Sequence, residues 1–263
     1  MKQSLPKISI ITPSFNQGDF IEETIRSVLD QDYPMLEYLV FDGGSTDNTI
    51  QILKKYERYL VWVSRADRGQ SDALNQGFRQ ASGEILAFIN SDDRYEPGAL
   101  HRVGEFMMRH PNAHWVTGKC RVIDTGGRET RKPITAYKNF WLGMRSYRVL
   151  CVLDYISQPA TFWRRSVIER VGLFDENLDY SMDYDYSLRV GQYFRLWVIN
   201  DYLASFRVHP ASKSGRIREH FDTDLAISKR YSRSRFLHGL HRLHNSIIVG
   251  IYRLLQENRG ARS

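Results

Sequence analysis

The sequence predicts a three-layer α/β domain built on a parallel sheet, and three observations predict it. Short apolar, β-branched runs recur through residues 7–118. Stretches with apolar residues at helical spacing separate them. Gly, Pro or Asp punctuates the junctions, as in Asp42-Gly43-Gly44 and Ser82-Gly83. This βαβαβα rhythm is the pattern of parallel strands joined by helical crossovers.

The elements follow in order. Residues 8–12 read as a strand closed by Pro13, and Phe20, Ile21, Ile25, Val28 and Leu29 mark a helix. Residues 38–41 are a second strand and 46–59 a helix. Residues 60–63 are a third strand, followed by a short helix over 70–81. The fourth run, residues 85–89, leads directly into Asn90-Ser91-Asp92-Asp93. Pro97 is a favoured first-turn residue for a helix reaching about Arg109, and 114–117 form another strand. The rhythm then breaks, and residues 124–150 read as a long loop or irregular insert. Order returns at 155–163, in a helix over 183–193, and in two late strands at 196–199 and 203–208. A helical tail covers 217–257, with an apolar block of Ile247, Ile248, Val249, Ile251, Leu254 and Leu255 flanked by Arg242 and Arg253.

Composition narrows the class. The 263 residues are 42% hydrophobic and 25% charged, ordinary for a globular protein of one large or two small domains. Cys120 and Cys151 are the only cysteines and form no CxxC pair, which argues against a zinc or disulfide scaffold. No apolar run suits a signal peptide, and none reaches the ~18–20 residues of a spanning helix. The expectation is a cytoplasmic protein, able to rest peripherally on the inner face of a membrane. The net charge is +7, but from Arg216 onward there are ten Lys/Arg and four Asp/Glu. The basicity therefore belongs to the tail, where it suits an anionic lipid or nucleic-acid partner, or a solvated helix face.

Six constellations carry chemistry. Thr12-Pro13-Ser14-Phe15-Asn16 lies at the end of the first strand, and Asp42-Gly43-Gly44-Ser45-Thr46-Asp47 at the end of the second. Ligands of open α/β sheets bind at those carboxyl ends, and paired glycines let a ligand approach the backbone. The block from Arg65 to Asn75 brings Asp67 and Asp72 to a helix start. Asp92 and Asp93 follow a buried strand, where adjacent carboxylates suit a hard divalent cation carrying a diphosphate; a polar turn is the plain alternative. Asp183 and Asp185 open a helix, and one of them can be a general base. Arg207-Val208-His209-Pro210 and the Ala211–Ser214 run after it offer His209 as a metal ligand. Taken alone, the aspartate, serine and asparagine blocks are also explained as caps or turns, and His209 as a surface or core histidine.

Read in order, these blocks resemble the inverting family 2 glycosyltransferases from Ile8 to about His209. The resemblance rests on SIITPSFNQGDFIEETIRSVLDQDYP, FDGGSTDNT, DRGQSDALNQG, ILAFINSDDRYEPGAL, QPATFWRR and DYDYSLR. It implies a GT-A three-layer α/β/α sandwich with a mixed, mainly parallel sheet over residues 1–215. The nucleotide-binding half would cover about 1–118, the acceptor half 119–215, and a basic helical extension 216–263. It implies that Pro13, Ser14, Asn16 and Asp42 form the nucleotide pocket, with Asp67, Asp72, Asn90 and Ser91 completing the nucleotide-sugar site. Asp92 and Asp93 would bind Mn²⁺ or Mg²⁺ with His209, and Asp183 would be the catalytic base. The donor would be a nucleotide sugar, a UDP-sugar foremost with GDP- and dTDP-sugars as alternatives. The acceptor would be a saccharide or lipid-linked saccharide in cell-surface polysaccharide or glycoconjugate synthesis. Two positions depart from the pattern: Asn90 stands where the metal motif often begins with Asp, and Gly43 replaces a frequent second Asp.

Two other readings compete. A sugar-phosphate nucleotidyltransferase shares the layout and metal, but needs a cationic loop after strand one, and residues 12–18 hold no Lys or Arg. A nucleic-acid-binding or membrane-binding protein would use the tail. Its few aromatics, Phe221, Tyr231, Phe236 and Tyr252, and its apolar block suit a membrane face better than bases. The expected partners therefore exclude nucleic acid and leave the oligomeric state open.

Overall fold

The computed structural model describes residues 4–178, 180–210 and 217–260, without the side chains of 217–221 and 251–260. The Ala211–Ser214 run and the side chains of Phe221, Ile251, Tyr252, Arg253, Leu254 and Leu255 thus lie outside the described residues. Strands β1 (Ile8–Ser14), β2 (Leu36–Asp42), β3 (Val61–Ser64) and β4 (Ile85–Phe88) pair in parallel in the order β3-β2-β1-β4. β8 (Thr161–Arg164) adds antiparallel to β4, and β6 (Trp115–Ile123) antiparallel to β8. β9 (Leu196–Arg207) runs parallel to β6, and β5 (Arg94–Tyr95) pairs with β9 antiparallel. β7 (Glu129–Thr130) forms a hairpin with β6. The sheet is therefore mixed, as the resemblance implies, and parallel through its first four strands and again between β6 and β9.

Alternation along each strand builds two cores. Ile8 and Ile10 of β1, Val40 of β2 and Ala87 of β4 meet Ile21, Ile25 and Val28 of α1 (Ile21–Leu29), Leu53 of α2 (Thr49–Tyr56) and Leu100 of α4 (Ala99–Arg109). On the other face Ile11, Phe41 and Phe88 meet Leu74 and Phe78 of α3 (Gln70–Gln80), Val167 of α7 (Arg165–Val171) and Tyr186 of α8 (Met182–Gly191). Each fully buried Ile or Val contributes about 1.5–3 kcal/mol over an exposed one. Burial on both faces explains why β1, β2 and β4 read as continuous apolar runs. It also leaves their carboxyl ends as the one edge where polar loops gather.

Four sequence expectations change. The stretch read as an irregular insert holds β7, α5 (Lys132–Met144) and α6 (Tyr147–Leu150). α5 buries only Thr135 and Leu142, so no apolar stripe announces it; Pro133 at its start is the surviving signal. The two late strands are one, because Asn200 and Asp201 mimic a turn while the chain shifts register against β6 beside Gly118 and Lys119. Pro97 precedes α4, whose N-cap is Gly98 in the left-handed region at φ 74°. The tail is two helices, α9 (Ile217–Tyr231) and α10 (Arg235–Gly260). α9 packs on the body, with Ile227 1% exposed in the second core and Ser228 Oγ donating to the Cys151 carbonyl at 2.6 Å.

Candidate active site

The carboxyl ends of β1 and β2 stand side by side, with Ser14 paired to Asp42 and the Gly43 N–H donating to the Ser14 carbonyl at 2.8 Å. Asp42 is buried and accepts from the Gly44 and Ser45 N–H groups at 3.0 and 2.8 Å and from the hydroxyls of Ser45 and Ser64. Three of these donors go to Oδ2 and only the Ser45 hydroxyl goes to Oδ1, so Oδ1 keeps an acceptor position. Asn16 sits in the left-handed region at φ 51° and ties two loops together. Its Oδ1 accepts from the Thr46 N–H at 2.9 Å, and its own N–H donates to Ser45 Oγ at 2.7 Å. Ser14 Oγ is buried with no hydrogen-bond partner, a polar atom left over where a ligand would sit. Pro13 is buried beside it in β1.

Asp67 faces Gly43 so closely that a Cβ there would meet its Oδ2 at 3.0 Å. That contact gives a physical reason for glycine where the pattern often has Asp. Burial pushes the Asp67 carboxyl up, with Asp72 and Asp42 adding to the effect. Asp72 is instead held down by Arg68, whose guanidinium lies 3.1 Å away and bridges to Glu176.

The loop after β4 is fastened from three sides. Gln70 Nε2 donates to Asn90 Oδ1 at 2.7 Å, and Gln158 Nε2 donates to the Phe88 carbonyl at 2.7 Å. Ser91 is buried. Arg207, 1% exposed at the end of β9, donates from its backbone N–H to Asp93 Oδ1 at 2.8 Å and from Nε to the Asp92 carbonyl at 2.7 Å. Its other nitrogens reach the Asp124 and Thr125 carbonyls and Glu23. Asp93 thus has no exposed surface. Burial raises its carboxyl well above the ordinary range, with Asp92 beside it adding to that. Asp92 faces His209 instead, Oδ2 to Nε2 at 3.0 Å, and the imidazole packs against the Phe20 ring at 4.7 Å between centroids. Among the described residues no three His, Cys, Asp or Glu side chains converge as a metal cage. One carboxylate and one imidazole fit a divalent cation that takes its remaining ligands from a diphosphate.

Tertiary structure separates the two aspartates of α8. Asp185 is buried, bound by Tyr231 Oη of α9 at 2.7 Å and by Arg189 at 3.3 Å. Asp183 lines an open pocket of about 240 Å³ that Asn90, Gln158 and Lys138 also line. This pocket joins the Asp92 loop to the α8 N-terminus. Burial pushes Asp154, on its wall, up to about 6, with Lys138 opposing and Asp183 adding. Asp224 of α9 is pushed up to about 7 by burial, opposed by a hydrogen bond with Ser181 and raised further by Asp154 and Asp183.

The chain matches the model described as Glycosyl transferase family 2 over residues 9–172. The chain belongs to that family. TuaG of Bacillus subtilis, a putative teichuronic acid biosynthesis glycosyltransferase, is 39% identical over 126 residues, 46% of this chain and 50% of that protein. A Mycobacterium tuberculosis glycosyltransferase, MT1564, is 31% identical over 191 residues, 71% of this chain and 69% of its own length. Among solved structures, S. aureus TarS 1–349 in complex with UDP-GlcNAc has a TM-score of 0.64 at 20% identity, covering 84% of this chain and 65% of that one. The mannosyltransferase PcManGT of Pyrobaculum calidifontis, with GDP-Man and Mn²⁺, has a TM-score of 0.70 at 21% identity, covering 92% and 70%. The structural likenesses establish the fold. This family 2 chain spans half the length of TuaG and about two thirds of TarS 1–349.

Sequence reasoning missed several residues. Arg207 and Gln158 sat inside quoted motifs but had no assigned role; a charged or amide side chain at the end of an apolar strand or turn is the signal each left. Asp154 and Lys138 fell in or beside the supposed insert, and Asp224 in a tail read as a separate extension. Only packing brings these three to Asp183.

Proposed function

We propose that the protein transfers a sugar from a nucleotide-diphosphate donor to an acceptor hydroxyl, with inversion at the anomeric carbon. The observation that carries this reading is the single pocket running from Asn90 of the Asp92 loop to Asp183. A leaving diphosphate and a proton acceptor need such an arrangement, on opposite sides of the reacting carbon. The donor base and ribose occupy the loops at Ser14, Asp42 and Asp67, where the buried Ser14 hydroxyl awaits a partner. A UDP-sugar is the first donor to test, with GDP- and dTDP-sugars beside it.

Asp92 and His209 would hold Mn²⁺ or Mg²⁺, which would supply positive charge against the departing diphosphate. Asp93 is assigned to the loop rather than to the cation, since its carboxylate points at the Arg207 backbone. Arg207 fixes both aspartates through main-chain contacts. Asp183 takes the proton of the acceptor hydroxyl as it attacks. The acceptor, a saccharide or lipid-linked saccharide of surface-polysaccharide assembly, enters between Asp183 and α5.

The test is a panel of nucleotide sugars, scored for metal-dependent hydrolysis and thermal stabilisation, on wild type and Asp183→Asn. The variant should lose turnover by about 10²–10⁴-fold with donor-induced stabilisation intact. Equal loss of both removes Asp183 from the base role. No response to any nucleotide sugar overturns the function.

A further inference from the structure

We infer that α5 and α10 together form one face that docks on an anionic lipid bilayer. The two helices are in contact: Tyr137 Oη lies 2.9 Å from His244 Nε2, and the two rings are parallel within 9°. Each helix has a buried side and an exposed apolar stripe. On α10, Leu237 packs on the second core and His241 is buried against the Cys151 carbonyl. Phe236, Leu240, Leu243 and Ile247, spaced by four, three and four, are exposed, Phe236 by 73%. On α5, Leu142 is buried while Tyr137, Phe140 and Met144 are exposed, Phe140 by 66%. Exposed apolar stripes on adjacent helices are costly in water and mark an interaction surface.

Charge selects the occupant. Residues 131–153 and 232–256 contain nine Lys/Arg and no Asp/Glu, whereas the rest of the chain has two more acids than bases. The basicity is therefore not confined to the tail. Arg131, Lys132, Arg145, Arg148, Arg233 and Arg242 are all exposed. A second copy would bring like charges together at this face. Nucleic acid would satisfy the cations and leave the apolar stripes wet. An anionic bilayer satisfies both, apolar side chains entering the headgroup boundary while cations meet the lipid phosphates. Among the described residues no helix is long and apolar enough to cross a membrane, so the contact is on the surface. The inner side of α5 supplies Ile134, Thr135 and Lys138 to the pocket beside Asp183. Resting on the proposed transferase function, this puts the acceptor side of that pocket next to the lipid and suits a lipid-linked acceptor.

The experiment is co-sedimentation of the full chain with vesicles of phosphatidylcholine, alone or mixed with phosphatidylglycerol. Four proteins are compared at low and high salt: wild type, Phe140→Ser/Leu243→Ser, Arg145→Gln/Arg242→Gln, and both pairs combined. Binding should require phosphatidylglycerol and fall roughly tenfold or more in each paired variant and with salt. Donor-induced thermal stabilisation, read in the same samples, should not change. Equal binding to neutral vesicles, or variants that bind like wild type, overturns the inference. So does a dimer in sedimentation equilibrium that Phe140→Ser/Leu243→Ser dissociates, or oligonucleotide binding as tight as vesicle binding. Vesicle binding by a protein that no nucleotide sugar stabilises supports the docking face while sinking the transferase reading.

Discussion

Asp224→Asn tests whether α9 brings a third buried carboxyl to Asp154 and Asp183. Asp224 is pushed from an ordinary value of 3.8 to about 7, first by burial and then by the charges of Asp154 and Asp183. A carboxyl whose folded value is raised adds stability that is complete below about 3.8 and lost as pH rises through about 7. The displacement corresponds to at most about 4 kcal/mol, and an effective interior dielectric well above the dry limit reduces it to roughly 1–3 kcal/mol. Asn keeps the oxygen that faces Ser181 and removes the charge. The variant should therefore melt about 2–8 °C higher than wild type at pH 8 and close to wild type at pH 4. Differential scanning fluorimetry across this range reads both limbs. An equal gain at both ends of the range, or a loss at pH 8, would refute the buried carboxylate cluster. Asp154, raised to about 6 in the same direction, should leave a smaller residual slope in the variant.

Three further outcomes follow from the site. Asp92→Ala should reduce the difference in donor affinity with and without Mn²⁺ to near zero; titration calorimetry with a nucleotide diphosphate checks it, and a preserved difference would move the cation elsewhere. Arg207→Met should destabilise by roughly 3–5 kcal/mol, because Glu23 and three backbone carbonyls lose a buried cation; urea unfolding measures it, and a shift under 1 kcal/mol would show that the loop stands without the clamp. Gly43→Ala should weaken donor binding several-fold with little change in stability, since the Asp67 carboxylate must give way by a few tenths of an ångström; unchanged affinity would place the donor away from this loop.

The first half of the chain was legible because its strands are buried on both faces and its loops fall at one edge. β1, β2 and β4 therefore announce themselves as apolar runs, and Ser14, Asp42 and Asp92 as the polar residues that end them. The second half was less legible. α5 keeps only two residues buried and turns aromatics to the outside, so helical periodicity fades. β9 carries Asn200 and Asp201 midway, where an irregular register lets polar residues interrupt a continuous strand.

Sequence alone determined the α/β class, the order of the polar blocks and the identity of the aspartate pairs. Residue chemistry alone could not divide the labour within a pair, and only the resemblance named Asp183 as the base, because neighbouring carboxylates are chemically equivalent until packing turns them apart. Tertiary structure turned Asp93 inward to the Arg207 backbone and left Asp92 facing His209. It bound Asp185 to Tyr231 and left Asp183 on the pocket. It also brought Asp224 from a distant helix to the charges of Asp154 and Asp183, a neighbourhood set by burial across the fold and written in no local pattern.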